Sequence, residues 1–72
     1  MVAARIDKII TAMVASGMKP WEIADKAGVS VNVVYRARRG YLIRLDKLGR
    51  ICDALGVRPE NIIDYDRLRA EQ

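Results

Sequence analysis

The chain has no histidine, no phenylalanine and one cysteine, Cys52, in 72 residues. A single cysteine excludes an intramolecular disulfide framework. Without histidine the usual zinc ligand set cannot be assembled, so no metal is expected. The same absences remove most nucleophile–base pairs. Asp53, Asp64 and Asp66 could be imagined as catalytic carboxylates, but no pocket-forming sequence surrounds them and they read as solvated surface. Neither an enzyme nor a cofactor is expected. The aromatics are Trp21, Tyr35, Tyr41 and Tyr65, so the core must come from Ile, Leu, Val, Met and Ala, which suits helices. No apolar run approaches the roughly 20 residues of a membrane span. The N-terminus, with Asp7 and Lys8 amid apolar residues, lacks a signal-peptide profile. A reducing, cytoplasmic setting is the expectation, with Cys52 a buried structural thiol.

What is present is a small, basic, apolar chain. Its length fits one domain, residues 1–72, near the lower limit of what a single core stabilises. The hydrophobic fraction of 51% is too high for disorder. There are 13 basic and 9 acidic residues, net +4. Five of the basic residues (Lys26, Arg36, Arg38, Arg39, Arg44) lie between Asp25 and Asp46 with no acid among them, and outside that window the balance is negative. Positive charge is thus concentrated on one segment, the footprint of a surface that meets phosphates.

Gly17, Pro20, Gly28, Gly40, Gly56 and Pro59 cut the chain into five segments of helical length. The first, about Val2 to Ser16, repeats Ile6, Ile9, Ile10 and Met13 at helical spacing. The second, Pro20 to Ala27, starts with proline where no intrahelical N–H bond is lost. It turns Ile23, Ala24 and Ala27 inward. Ser30 is a good N-cap for the third, Val31 to Arg39. That helix is rich in β-branched residues and needs packing to hold it. The fourth, Leu45 to Leu55, carries Leu45, Leu48, Ile51, Cys52 and Leu55 on one face, with Val57 the hydrophobic contact after Gly56. Pro59 opens a short fifth helix, with Ile62 and Ile63 closing the core. The polar tail 66–72 is expected to fray. These segments predict an all-α, compact bundle of five short helices. Val29 to Val33 is the one candidate strand, outweighed by the Ser30 cap and the helical spacing beyond it.

At about 100° per residue the third helix turns Val34 and Ala37 to one side. The opposite side carries Asn32, Tyr35, Arg36 and Arg39. Arginine can donate two bonds to guanine, asparagine can pair with adenine, and valine can touch a thymine methyl. Residues nearest the helix N-terminus reach deepest into a major groove. Val31, Asn32, Val33 and Arg36 are therefore the candidate base readers. Ser30, Arg38, Arg39, Tyr41 and Arg44 are candidate phosphate contacts. Tyr35 is a candidate to stack or bond alongside them. For any single arginine a solvated surface is the simpler reading. For the group that reading needs a long acid-free gap in a chain otherwise rich in acids.

The residues Trp21-Glu22-Ile23-Ala24-Asp25-Lys26-Ala27-Gly28-Val29-Ser30, then Val34 and Arg39-Gly40, resemble the lambda-repressor-like Cro/repressor helix-turn-helix family of the xenobiotic-response-element type. The run Leu45 to Ile63 is similar to that family's next two helices, and the resemblance spans about residues 5–65. It implies a helix-turn-helix over about 20–39, with Ala24 at the close crossing of the second and third helices. Two positions depart from the pattern. Pro20 stands where the family often has a glutamine that braces the DNA backbone, so Lys19 or Trp21 is expected to take that contact. Trp21 is expected chiefly to pack at the core rim. Val31 and Asn32 stand where glutamine is frequent, so no operator sequence carries over.

The expected function is a sequence-specific, double-stranded DNA-binding transcriptional regulator, a repressor by preference, acting as a homodimer on a palindromic operator. Val57, Ile62 and Tyr65 are the candidate dimer surface. A DNA-binding antitoxin, acting through a partner protein held by the acidic and apolar C-terminus, is the alternative. A basic amphipathic membrane binder is a weaker third reading, because the small residues opposite the arginines are consumed by the fold.

Overall fold

A computed structural model describes residues 1–70. It contains α1 (Ile6–Ser16), α2 (Pro20–Ala27), α3 (Val31–Arg38), α4 (Leu45–Leu55), a single 3-10 turn (Pro59–Asn61) and α5 (Tyr65–Ala70). The all-α bundle expected from the punctuation is present. The candidate strand at 29–33 is not; Val31 begins a helix.

The starts of α2 and α3 each have a chemical reason. Pro20 occupies the first position of α2, and the Glu22 carboxylate accepts a hydrogen bond from the Lys19 amide at 2.9 Å, satisfying a donor that the helix leaves over. Ser30 Oγ accepts from the Val33 amide at 3.4 Å, as its N-cap role requires. At the other ends, Gly28, Gly40 and Gly56 all carry φ near 70°. The Gly28 amide donates to Asp25 O at 3.3 Å and the Val29 amide to Ala24 O at 3.0 Å. This paired closure is the Schellman motif. It recurs after α3 (Gly40 to Ala37 O, Tyr41 to Arg36 O) and after α4 (Gly56 to Asp53 O, Val57 to Cys52 O).

The core is built from Ile9, Ile23, Val34, Leu48, Ile51 and Cys52, all fully buried, with Met13, Ala24, Ala37 and Ile43 around them. Helix α2 packs chiefly on α3 and α4, and α1 crosses behind α3. Val34 and Ala37, the two small side chains turned inward from α3, are both fully buried. They supply the packing that its propensity lacks.

Four expectations are corrected. The first helix starts at Ile6, not near Val2, because residues 2–4 are pulled straight by distant backbone. The Val2 and Ile43 amides and carbonyls exchange bonds at 2.8 Å, and the Asp64 amide donates to Ala3 O at 2.9 Å. Ala4 and Ile63 form a second isolated bridge. Second, Ile6 and Ile10 lie on the exposed edge of α1, leaving Ile9 and Met13 to the core. Third, Leu45 shares the inner face of α4 by angle yet is 55% exposed. As the first residue of its helix it stands outside the packed layer. Fourth, the expected fifth helix is only the 3-10 turn, and 66–70 of the supposed tail is helical. Asp64 caps that helix by accepting from the Arg67 amide at 3.1 Å, and Leu68 packs against the core. Positions 71 and 72 of the tail lie outside the described residues.

Gly40 and Gly17 separate backbone strain from packing. Both have positive φ, but a Cβ on Gly40 would lie 2.9 Å from Ile6 Cγ1, whereas one on Gly17 meets nothing within 4 Å. Gly17→Ala is expected to cost about 1 kcal/mol and Gly40→Ala about 1–3 kcal/mol more, read as the difference between their urea midpoints. Burial pushes the Cys52 thiol from its ordinary 9.0 up to about 11. Between those values the unfolded chain gives up a proton that the folded chain keeps, so stability falls as pH rises from 9 to 11 and is untouched below. Denaturation across that window should show a slope that Cys52→Ala lessens, and a thiol reagent at neutral pH should label Cys52 only on unfolding.

Candidate nucleic-acid interface

The outer side of α3 starts from the Ser30 cap. Asn32, one residue into the helix, is exposed, and so are Arg36 and Arg39. Val31 and Val33 are half-buried and packed against the core. Only their outer edges are open, because in so short a helix these side chains help to seal Val34.

The arginines part company in space. Arg36 Nη2 donates to Leu42 O at 3.0 Å, and its guanidinium lies 5.5 Å from the centre of the Tyr41 ring. Arg38 sits 5.0 Å over the Tyr35 ring and lines a hollow with Ile10, Met13, Val14, Met18 and Pro20. Arg39 is the residue just past the last turn of α3, not within it. It lines a different hollow, with Arg5, Asp7, Tyr41, Asp64 and Arg67. Arg44 precedes α4 and pairs with Asp46 at 3.0 Å. Both partners are exposed, so the pair is weak enough for Arg44 to exchange it for another anion. Tyr35 is half-buried and Tyr41 exposed.

Lys19 and Trp21 flank Pro20 at the start of α2. Trp21 is 62% exposed, which overturns the expected packing at the core rim. Its position in the first turn, ahead of the inward stripe of Ile23 and Ala24, leaves no core surface for it to cover. An amphipathic ring held out in this way suits a contact that is partly apolar and partly wet.

Two basic residues escaped the sequence reading. The Arg50 guanidinium approaches the turn between α2 and α3, 3.9 Å from where a Gly28 Cβ would stand. Nothing local signals this; it follows from the packing of α4 on α2. Arg67 Nη1 donates to Gly40 O at 2.7 Å, tying α5 to the end of α3. The spacing Asp64 to Arg67 was the available hint that a capped helix, and not a tail, begins there.

The candidate dimer residues are not one patch. Ile62 is 3% exposed and belongs to the chain's own core, which corrects its assignment to a dimer surface. It closes the core beneath the 3-10 turn. Val57 is half-buried against that core, and Tyr65 alone of the three is exposed. Among the described residues no cluster of His, Cys, Asp or Glu could hold a metal ion. No described helix is long and apolar enough to cross a membrane.

Two short helices joined by a glycine turn, the second capped by serine and basic outside, define a helix-turn-helix. A family model for the Cro/C1-type HTH DNA-binding domain matches residues 8–67, and the chain belongs to this family. Comparison with curated proteins and with solved structures gave no match. The chain is therefore a DNA-binding protein of the Cro/C1 type.

Ser30 connects the stability of this interface to its shape. Ser30→Ala is expected to cost about 0.5–1 kcal/mol, at the low end because the cap is exposed and the bond long. Ser30→Asp should retain the cap and the stability. If Ser30 also meets a phosphate, the Asp variant will bind DNA more weakly than wild type in a mobility-shift titration.

Proposed function

We propose that this chain is a sequence-specific regulator of transcription that lays α3 in the major groove of duplex DNA and represses by occupying a promoter. The observation that carries this reading is the exposed Asn32 beside the Ser30 cap. It is a bidentate hydrogen-bonding side chain at the end of the helix that reaches deepest, inside a window free of acids. Asn32 is the adenine reader, and the open edges of Val31 and Val33 meet thymine methyls. Lys19, Trp21, Ser30, Tyr35, Arg38, Arg39, Tyr41 and Arg44 supply the sequence-independent contacts that set the register. Binding, not catalysis, is the activity, the chain works as a single domain, and the cytoplasm is its setting.

One α3 reads only a few base pairs. A homodimer on a palindromic operator, with half-sites about 10 bp apart or a multiple of that, extends the site. With Ile62 in the core, Tyr65 is the member of the expected dimer surface still open to a second copy. The dimer of this reading is weak and completes itself on DNA.

A specific observation supports the second reading, a DNA-binding antitoxin or similar adaptor. Ile6, Ile10 and Val14, spaced by four along α1, are all exposed, Val14 by 76%. A stable complex with one partner protein, lost in Ile10→Asp and Val14→Asp, would favour it over a free-standing regulator.

The test is selection of bound duplexes from a random pool, followed by affinity measured against salt. The expected result is an enriched motif and a steep fall in affinity with salt, from release of counterions. Asn32→Ala should cost about 1–3 kcal/mol and relax preference at one base pair. A wild-type protein with no preferred sequence and no salt dependence defeats the reading.

A further inference from the structure

We propose that Arg36 is a positioning residue, which shapes the loop after α3, and that it is not a reader of bases. The inference rests on the chain's action as a sequence-specific DNA binder and changes the part that one arginine plays in it.

The geometry starts with the Schellman closure of α3. That motif brings together the side chain four residues before its glycine and the side chain just after it, and the contact is usually hydrophobic. After α2 those two positions are Ala24 and Val29; after α4 they are Cys52 and Val57. After α3 they are Arg36 and Tyr41. Here the place of the apolar contact is taken by a guanidinium 5.5 Å from a tyrosine ring. The same guanidinium donates to Leu42 O at 3.0 Å, while the Arg36 carbonyl accepts from the Tyr41 amide at 2.9 Å. One residue thus holds the following loop by its backbone, its ring contact and a side-chain hydrogen bond.

The direction of the side chain matters as much as its bonds. Its head is drawn toward Tyr41 and Leu42, at the C-terminal end of α3. Base reading is done chiefly from the N-terminal end, where Asn32 stands. To reach a base, Arg36 would have to give up both its ring and its carbonyl partner.

The loop held in this way is fastened elsewhere too. Arg67 donates to Gly40 O at 2.7 Å, and Ile43 exchanges two backbone bonds with Val2 at 2.8 Å. Gly40, Leu42 and Ile43 are all tied to other elements, while Tyr41 and Arg44 remain exposed. A loop fixed before binding loses little freedom on meeting a phosphate. Arg36 acts on affinity through that loop.

The test uses the full chain and two duplexes, one carrying the motif enriched by wild type and one scrambled. Arg36→Ala, Arg36→Met, Tyr41→Ala and the Arg36→Ala/Tyr41→Ala double variant are titrated below their measured melting temperatures. Arg36→Ala and Tyr41→Ala should each weaken binding to both duplexes by about tenfold, with base preference unchanged on reselection. The double variant should lose less than the product of the two single losses, because the ring contact is shared. Arg36→Met returns an apolar contact at the closure but not the bond to Leu42 O, so it should recover only part of what Arg36→Ala loses, again with base preference unchanged. Loss of preference at one base pair in Arg36→Ala, a double variant whose losses multiply, or wild-type affinity in Arg36→Ala each overturn the proposal. Wild-type selection is read first. Its failure defeats the reading of the chain as a sequence-specific regulator, whereas the outcomes above, with wild-type selection intact, defeat only the role given to Arg36.

Discussion

The segment Val-Asn-Val-Val-Tyr-Arg-Ala-Arg does not hold a helix in water. It is eight residues long, rich in β-branched side chains, and shorter than the length at which an isolated helix becomes stable. The shape of α3 depends on Val34 and Ala37, which are fully buried and pin that segment to α1, α2 and α4. The pinning also decides what is left outside. Val31 and Val33 must help seal so small an anchor, which leaves the exposed outer side to the polar residues, Asn32 foremost.

The same anchor explains why charge clustering along the chain does not become a uniform basic surface. Arg36, Arg38 and Arg39 are close in sequence, yet one reaches the following loop, one lies over Tyr35 beside α1, and one faces the hollow lined by Asp64 and Arg67. A helix turns its side chains by about 100° per residue, so neighbours diverge unless tertiary contacts reunite them. Two of the three find a tyrosine ring. The rings dress the guanidiniums, hold them out of full solvent freedom and leave their charge in place.

Much of the fold was legible because its punctuation is local. Pro20, Ser30, Gly28, Gly40 and Gly56 each act through backbone geometry within one turn, so helix limits at those points agree with the sequence to about one residue. The ends of the chain were not legible. Val2 to Ala4 look like the start of a helix until Ile43 and Asp64 arrive to pair with them. The last helix depends on a cap at Asp64 and on Leu68 finding the core. In the site, the exposure of Asn32 followed from the helical wheel. The exposure of Trp21, the burial of Ile62 and the approach of Arg50 to the turn at Gly28 did not, because each depends on which surfaces other helices cover.

By itself the sequence determined that this is an all-helical domain with a glycine-hinged pair of helices and a basic, acid-free segment. Those properties live in residue type and short-range spacing, where sterics and charge act without reference to the rest of the chain. Only the tertiary structure decided where the arginine side chains come to rest. The positions of Tyr41, Leu42 and Gly40 relative to Arg36 and Arg67 come from the closure of one helix and the packing of another. A wheel drawn on α3 alone gives the direction of a side chain's first bond; where its charged end comes to rest depends on the partners that the fold brings within reach.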